Sequence, residues 1–408
     1  MEAFKPPIKL TQRGPKRPLL FRRYPALLFG LLMTLLQNAL PACGQPPLRL
    51  TARVDTTNKD VKSVFQLVGR YLNNHPDSLF ANPDWQPAEV QRQVVGHQER
   101  VDLAAPFLFA DLPARRMLAL YQPTVLSIEP VGSKYLVRVL FYAENPPKWI
   151  TDSRWNPPHI LRYYAARDAG GAWKLENSWG NELARWRTYQ TRWISFHYPP
   201  TLAFSEAKAR QASRFCDSLA TTLKLPDAKP FDYYLMSSEE ELGRLFNFDY
   251  WLAYNTGFTQ KAHNRIFSAR GRESHLHEFV HIMYHPVPNY FLAEGIATYL
   301  GGVDGYTPYQ QTLRDVARDL LNKPTVSFAD IYNNKYRNQT NNNPRYAAGA
   351  LVYALVRAKV GIAGFAKLEE SANTYESLLG QVGQLLHLKP TQVEAYLLRE
   401  LKSYATYN

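Results

Sequence analysis

The stretch HLHEFVHIMYHPVPNYFLAEGIATYLGG, residues 275–302, holds four of the chain's ten histidines and two glutamates among otherwise apolar residues. Within it, HEFVH sets His277 and His281 four positions apart. On a helix that spacing puts both imidazoles on one face, one turn apart, where they can meet a single ion. Glu278, next to His277, reaches around to hold a water on that ion. Zinc suits such a pair: it takes a third protein ligand and keeps a position open for water. His285 continues the stripe but lies about 12 Å along the axis from His277, at 1.5 Å per residue. His275, two residues before His277, points to roughly the opposite face. The third ligand must therefore come from another element.

The residues that follow supply one. Pro286 and Pro288 end the first helix and turn the chain. Asn289 is placed to cap a second helix, YFLAEGIATYLGG. Glu294 is the only charged residue in that helix, with Leu292, Ala293, Ile296, Ala297 and Leu300 around it. A carboxylate in such company is costly unless it is paired or on a metal. Asp304, just after Gly301-Gly302, is the alternative carboxylate.

HEFVH followed by YFLAEGIATYLGG resembles a gluzincin zinc peptidase, closest to the peptidase MA-like group and related to the aminopeptidase-N and thermolysin families. The resemblance covers about residues 190–408. It implies that His277, His281 and Glu294 bind zinc and that Glu278 is the catalytic base. The segment YAAGALVYAL resembles the Tyr-x-x-Gly segment of the aminopeptidases, which implies that Tyr346 supplies a transition-state hydroxyl. Gly349, one turn on, would let that helix pack closely against another. TQKAHNRIFSA would correspond to the edge strand that pairs with extended substrate. The Gly-x-Met-Glu-Asn amine-binding signature of the aminopeptidases is absent from it, so endo- and exopeptidase action both stay open. The metzincin pattern needs glycine at position 284 and histidine at position 287; Tyr284 and Val287 stand there and exclude it.

The elements that must position these residues can be read along the chain. RWISFHYPP and PFDYYLMS read as strands, and SEAKARQASRFCDSLATTLKL as a helix with Cys216 in its core face. A helix opened by Ser237 or Ser238 follows, and then NTGFTQKAHNRIFSARG, a hairpin or edge strand. NNPRYAAGALVYALVRAKVG is a helix with Pro344 in its first turn and Gly361 just past its end. TQVEAYLLRELKSYA opens with Thr391 and Glu394, a capping box. YNNKYRNQTNNN is a polar loop. Upstream, DVKSVFQLVGRYLNN has helical spacing with Val64, Leu67, Val68 and Leu72 on one face. EVQRQVVGHQERVDLAAPFLF is helical in part. TVLSIEP, KYLVRVLFYAE and HILRYYAARDAGGAWKLENSW are strands, the last a hairpin turning at Gly170-Gly171. His75, His97 and His159 are scattered through this region and read as structural or exposed.

The expected fold class is α+β. Residues 45–188 form an accessory domain of helices and antiparallel sheet, which resembles the cone-shaped nuclear-transport-factor-2-like fold. Residues 189–408 form the zinc peptidase domain: a small sheet, the HExxH helix and a helical C-terminal part. GNELARWRTYQTR is the joint between them.

With 408 residues the chain is long enough for two or three domains, and 45% hydrophobic residues describe a globular protein. The formal net charge is +13, of which residues 1–44 carry +6, from Lys5, Lys9, Arg13, Lys16, Arg17, Arg22 and Arg23 against Glu2. No compact basic run occurs after Arg23, so nucleic acid is not an expected partner. The strongly apolar run Pro25 to Leu36 is shorter than the roughly 20 residues that span a bilayer, which makes residues 1–44 an export signal. LPAC at 40–43 resembles a lipobox that would lipidate Cys43, the only membrane attachment expected; cleavage after Gly44 is the alternative exit. The mature protein would then work outside a bacterial cytoplasm, in the periplasm, at the cell surface or secreted. With Cys216 the only other cysteine, no internal disulfide forms after cleavage. The leading expectation is an exported zinc peptidase acting on peptides or proteins. The competing ones are a non-catalytic surface protein on a peptidase scaffold, which has no need of Glu278, and a zinc hydrolase of non-peptide amides.

Overall fold

The computed structural model describes residues 48–73, 80, 82–108, 121–144, 159–250, 256–336 and 343–406. Residues 1–44, read above as an export signal and including Cys43, and His75 lie outside them. Among the described residues no helix is long and apolar enough to cross a membrane. Leu48–Asn408 forms one compact unit. It mixes helices with two mixed sheets, in keeping with the α+β expectation.

The first sheet has strand order β1 (Arg49–Leu50), β2 (Gln122–Val131), β3 (Lys134–Tyr142), β4 (His159–Arg167) and β5 (Trp173–Glu176). β2, β3, β4 and β5 pair antiparallel, and β1 joins β2 in parallel. Gly132 (φ 62°) closes the β2–β3 hairpin, and Gly171 (φ 81°) sits in the β4–β5 turn as its sequence implied. Helix α1 (Lys59–Asn73) buries Val61, Val64, Leu67, Val68 and Leu72, the face its periodicity defines. It shares a core with Val125, Val137, Val139, Leu161 and Tyr163. Of the remaining upstream histidines, His159 is buried, which pushes its pKa down to about 4. The His97 ring packs edge-on against His263.

The second sheet runs β10 (Gly257–Gln260), β11 (Arg265–Ser268), β8 (Phe231–Leu235), β7 (Ile194–Tyr198) and β6 (Arg187–Gln190). β7, β8 and β11 are mutually parallel, and the two outer strands pair antiparallel. β6 lies inside the stretch expected to be a joint. Its side chains are mostly exposed, as an edge strand allows, so its sequence lacks a buried alternation. The substrate-pairing segment expected over TQKAHNRIFSA is also redistributed. Among the described residues β11 is interior, between β10 and β8, and the edge on that side of the sheet belongs to β10.

Alternation divides the second sheet between two cores. Ile194, Phe196, Phe231, Tyr233 and Ile266 face α2 (Glu206–Leu223), with Cys216 buried as expected, and the helix that carries the two histidines. Tyr234, Met236 and Phe267 face the other way, into the core of the first sheet. Between β8 and β10, helix α3 (Glu239–Leu245) is capped by Ser238 and leads into β9 (Phe248–Tyr250). β9 pairs with β4, so a strand from beyond residue 188 extends the first sheet. Asn247 (φ 66°) locks this crossing: its side chain donates to Asp102 and Asn177 and accepts from Ser178.

Among the described residues eight α-helices follow, namely α4 (Leu276–Met283), α5 (Tyr290–Gly301), α6 (Tyr309–Leu321), α7 (Phe328–Tyr332), α8 (Pro344–Val360), α9 (Ala363–Ser371), α10 (Tyr375–Leu386) and α11 (Pro390–Ser403). α8 starts at Pro344 under an Asn343 cap and stops at Gly361 (φ 80°), as its sequence implied. The capping box expected from Thr391 and Glu394 is not made. Pro390 takes the first helical position, so Lys389 becomes the cap residue. Glu394 instead accepts from the Ala329 amide at the start of α7.

Candidate metal centre and cleft

α4 carries HEFVH and ends at Tyr284, ahead of Pro286 and Pro288. The Asn289 side chain then accepts from the Phe291 and Leu292 amides and starts α5. This turn returns the chain alongside α4 and brings Glu294 to the two histidines. His277 Nε2 lies 3.1 Å from His281 Nε2 and 3.1 Å from Glu294 Oε2, and His281 Nε2 lies 3.5 Å from Glu294 Oε2. Among the described residues these three form the one group of histidine and acidic side chains with converging ligand atoms. Asp304 is not part of it. Its carboxylate accepts from the Tyr306 and Thr307 amides and caps its own loop.

Three glycines make the approach possible. A Cβ on Gly301 would come within 2.6 Å of the Leu276 carbonyl and the His277 amide, so the end of α5 lies directly against the start of α4. Next to it, the Gly302 carbonyl accepts from His277 Nδ1 at 2.9 Å. A carbonyl can only accept, so Nδ1 carries a hydrogen, and Nε2 is the ring nitrogen that faces Glu294. Gly295, beside Glu294, meets Gly349 of α8, and a Cβ on either would lie 2.7 Å from the other's backbone. Gly349→Ala is expected to cost about 1–3 kcal/mol, the range for overpacking a closed contact. Chemical denaturation of the variant measures it, and a variant as stable as wild type would contradict the contact.

Gly349 does for α8 what its sequence suggested, and Tyr346 reaches the same site. Its ring stacks on His277 at 5.9 Å between centroids and 12° between planes, and its hydroxyl is 2.8 Å from that of Tyr290. Burial, the charge of Glu294 and the Tyr290 hydroxyl together drive the Tyr346 pKa far up, so the phenol keeps its proton. Glu278 is buried, and the Thr259 hydroxyl of β10 donates to its Oε2 at 2.7 Å. Burial disfavours the ionised form of Glu294, but hydrogen bonds from His277 and His281 outweigh it and hold the carboxyl down to about 2. Burial also opposes charging of His277; the carboxylates of Glu294 and Glu278 and the Gly302 carbonyl outweigh it and raise the pKa.

All these groups open into one cleft of about 560 Å³. β10 forms one wall, from Thr256 to Thr259 and Lys261. His275, Arg270, Tyr290 and Tyr346 complete the polar lining. His275 is buried, which pushes its pKa down to about 3. His285 touches the cleft but directs Nε2 to Glu369 at 2.7 Å. Glu369 is buried on α9 and also accepts from the Tyr284 and Tyr353 hydroxyls, so Tyr353 faces away from the histidine pair. Sequence reasoning missed Thr259, Tyr290 and Glu369; of these, only Thr259 carried a signal, its place on the expected edge strand.

The donor set fits zinc. Two imidazole nitrogens and a carboxylate oxygen are its usual ligands. In a regular tetrahedron with bonds of about 2.0–2.2 Å, ligand atoms stand about 3.3–3.6 Å apart, close to the spacing here. The His277–Gly302 hydrogen bond is the backing interaction that metal-bound histidines use to fix their tautomer. No protein-family model matches the chain, and no curated protein matches it.

Proposed function

We propose that the protein is an exported zinc-dependent peptidase of the gluzincin kind, acting on peptides or proteins. The observation that carries this reading is the His277, His281 and Glu294 triangle, with a buried Glu278 beside it, in a cleft bordered by a free strand edge. A small mixed sheet whose edge flanks the HExxH helix, followed by a helix bearing the third ligand, is the layout this reading needs. The export assignment rests on residues 1–44.

His277 and His281 through Nε2, and Glu294 through a carboxylate oxygen, would hold the zinc. When bound, zinc supplies a Lewis acid that polarises a carbonyl and makes water at its open position more acidic. Among the described residues β10 pairs only with β11, and its outer backbone groups present a template for an extended peptide, which would lie across the cleft as an added strand. Thr259 occupies Glu278 Oε2, fixing the carboxylate and leaving Oε1 to take a proton from the attacking water and return it to the leaving amine. Tyr346 keeps its proton and donates to the developing oxyanion, with Tyr290 holding the hydroxyl in place.

The test is digestion of a synthetic peptide library, read by mass spectrometry, with wild type and Tyr346→Phe. Wild type should cut. The variant should turn over about 10²-fold more slowly, the effect of losing one oxyanion donor, with unchanged zinc content. A zinc-loaded wild type that cuts no peptide contradicts the reading, and a fully active Tyr346→Phe removes that residue from it.

A further inference from the structure

Each end of the β10 wall carries a cation, and the two differ in how it is satisfied. Lys261 follows the Gln260 end, and its Nζ is taken up by the Tyr284 carbonyl. At the other end, Gly257 pairs with Ser268, and the Ala269 amide donates to the Thr256 carbonyl at 2.8 Å. Arg270 therefore emerges at the start of the edge strand, where it lines the cleft. It is half-buried, and its Nε is shut off from water with no acceptor. Among the described residues it makes no hydrogen bond and no ion pair. Asp304 feels its charge but commits Oδ1 to the Tyr306 and Thr307 amides, at 2.9 and 2.6 Å, and Oδ2 to the Thr307 hydroxyl at 3.0 Å.

A second group without a partner lines the same cleft and feels the charge of Arg270. His275 is 4% exposed, lines the cleft, and its Nδ1 has no partner. Gly257 leaves room for this ring, since a Cβ there would come within 2.6 Å of it. A half-buried guanidinium and a buried imidazole nitrogen, both unpaired, are costly unless a ligand satisfies them. The planar guanidinium fork matches a carboxylate, which it binds with two parallel hydrogen bonds.

We propose that the Gly257 end of the cleft is a carboxylate subsite, in which Arg270 and His275 bind an anionic group of the substrate and so select peptides that carry one there. This rests on the peptidase reading for its substrate class. The carboxylate can be an acidic side chain or a free C-terminus, and the arms of the experiment separate them.

The probes are degenerate peptide pools with glutamate or glutamine fixed at one position in turn, each made with a free or an amidated C-terminus. They are offered to zinc-loaded Glu278→Gln protein, with and without Arg270→Gln or Arg270→Lys, and retention is read by mass spectrometry. One anionic version should be retained about ten- to a hundredfold over its neutral counterpart, as a charge-assisted bidentate pair allows. A preference for the glutamate pools identifies a side chain, and one for the free terminus identifies the C-terminal carboxylate. The ratio should collapse toward one in Arg270→Gln and recover only partly in Arg270→Lys, at matched melting temperatures. No anionic preference, or a preference that persists in Arg270→Gln, overturns the subsite. Selective retention by a protein that hydrolyses nothing in the wild-type library digest would instead count against the peptidase reading and leave the subsite standing.

Discussion

Glu278→Gln is expected to lower peptide hydrolysis by about 10²–10⁴-fold, the range a positioned general base contributes, with zinc still bound at one ion per chain. The amide is nearly the same size as the carboxylate and can still accept from Thr259 at the position Oε2 now holds. It cannot take a proton from water. His277, His281 and Glu294 do not depend on Glu278 for their mutual geometry, since His277 is fixed by the Gly302 carbonyl and Glu294 by the Gly295–Gly349 contact. Turnover at fixed zinc content, with melting temperature as the control for folding, checks this. Near-wild-type turnover would remove Glu278 from the mechanism.

Glu294→Ala should have the larger effect on the metal. Loss of residues that merely back a metal ligand costs about 10–100-fold in affinity, so removing a ligand should cost more than that, and hydrolysis should fall with it. The change also removes a buried carboxylate that the two imidazoles hold ionised, at about 2. Without it, only Glu278 and the Gly302 carbonyl are left to offset the burial that opposes charging of His277. Competition for zinc against a chelating dye measures the affinity. Wild-type affinity in the variant would mean that the third ligand lies elsewhere.

What the sequence disclosed followed from distance along the chain. The four-residue spacing of His277 and His281, the Asn289 cap behind two prolines and the lone carboxylate at Glu294 are short-range patterns. The structure brings His277, His281 and Glu294 together. The apolar stripe of α1 and the burial of Cys216 were legible for the same reason. Contacts that join distant segments left no such trace. The meeting of Gly295 with Gly349 could be suspected only from the α8 side, because a glycine inside an apolar helix does not announce its partner. Thr259 is an ordinary strand residue until the β10–β11 hairpin sets it against Glu278, and Glu369 looks like one acid among several on α9. β9 left the first sheet's membership unreadable, since Phe248–Tyr250 is too short to show alternation and its partner β4 lies some ninety residues back. The capping box assigned to Thr391 failed on a local competition, in which Pro390 fixes the first turn one residue earlier.

The most direct measurement of the central claim is diffraction from zinc-loaded crystals, collected on either side of the zinc absorption edge. One anomalous peak per chain is expected within about 2.0–2.2 Å of His277 Nε2, His281 Nε2 and a Glu294 carboxylate oxygen, on the side of the cleft that Glu278 lines. No peak at that position under saturating zinc, or a peak held by other side chains, would contradict it.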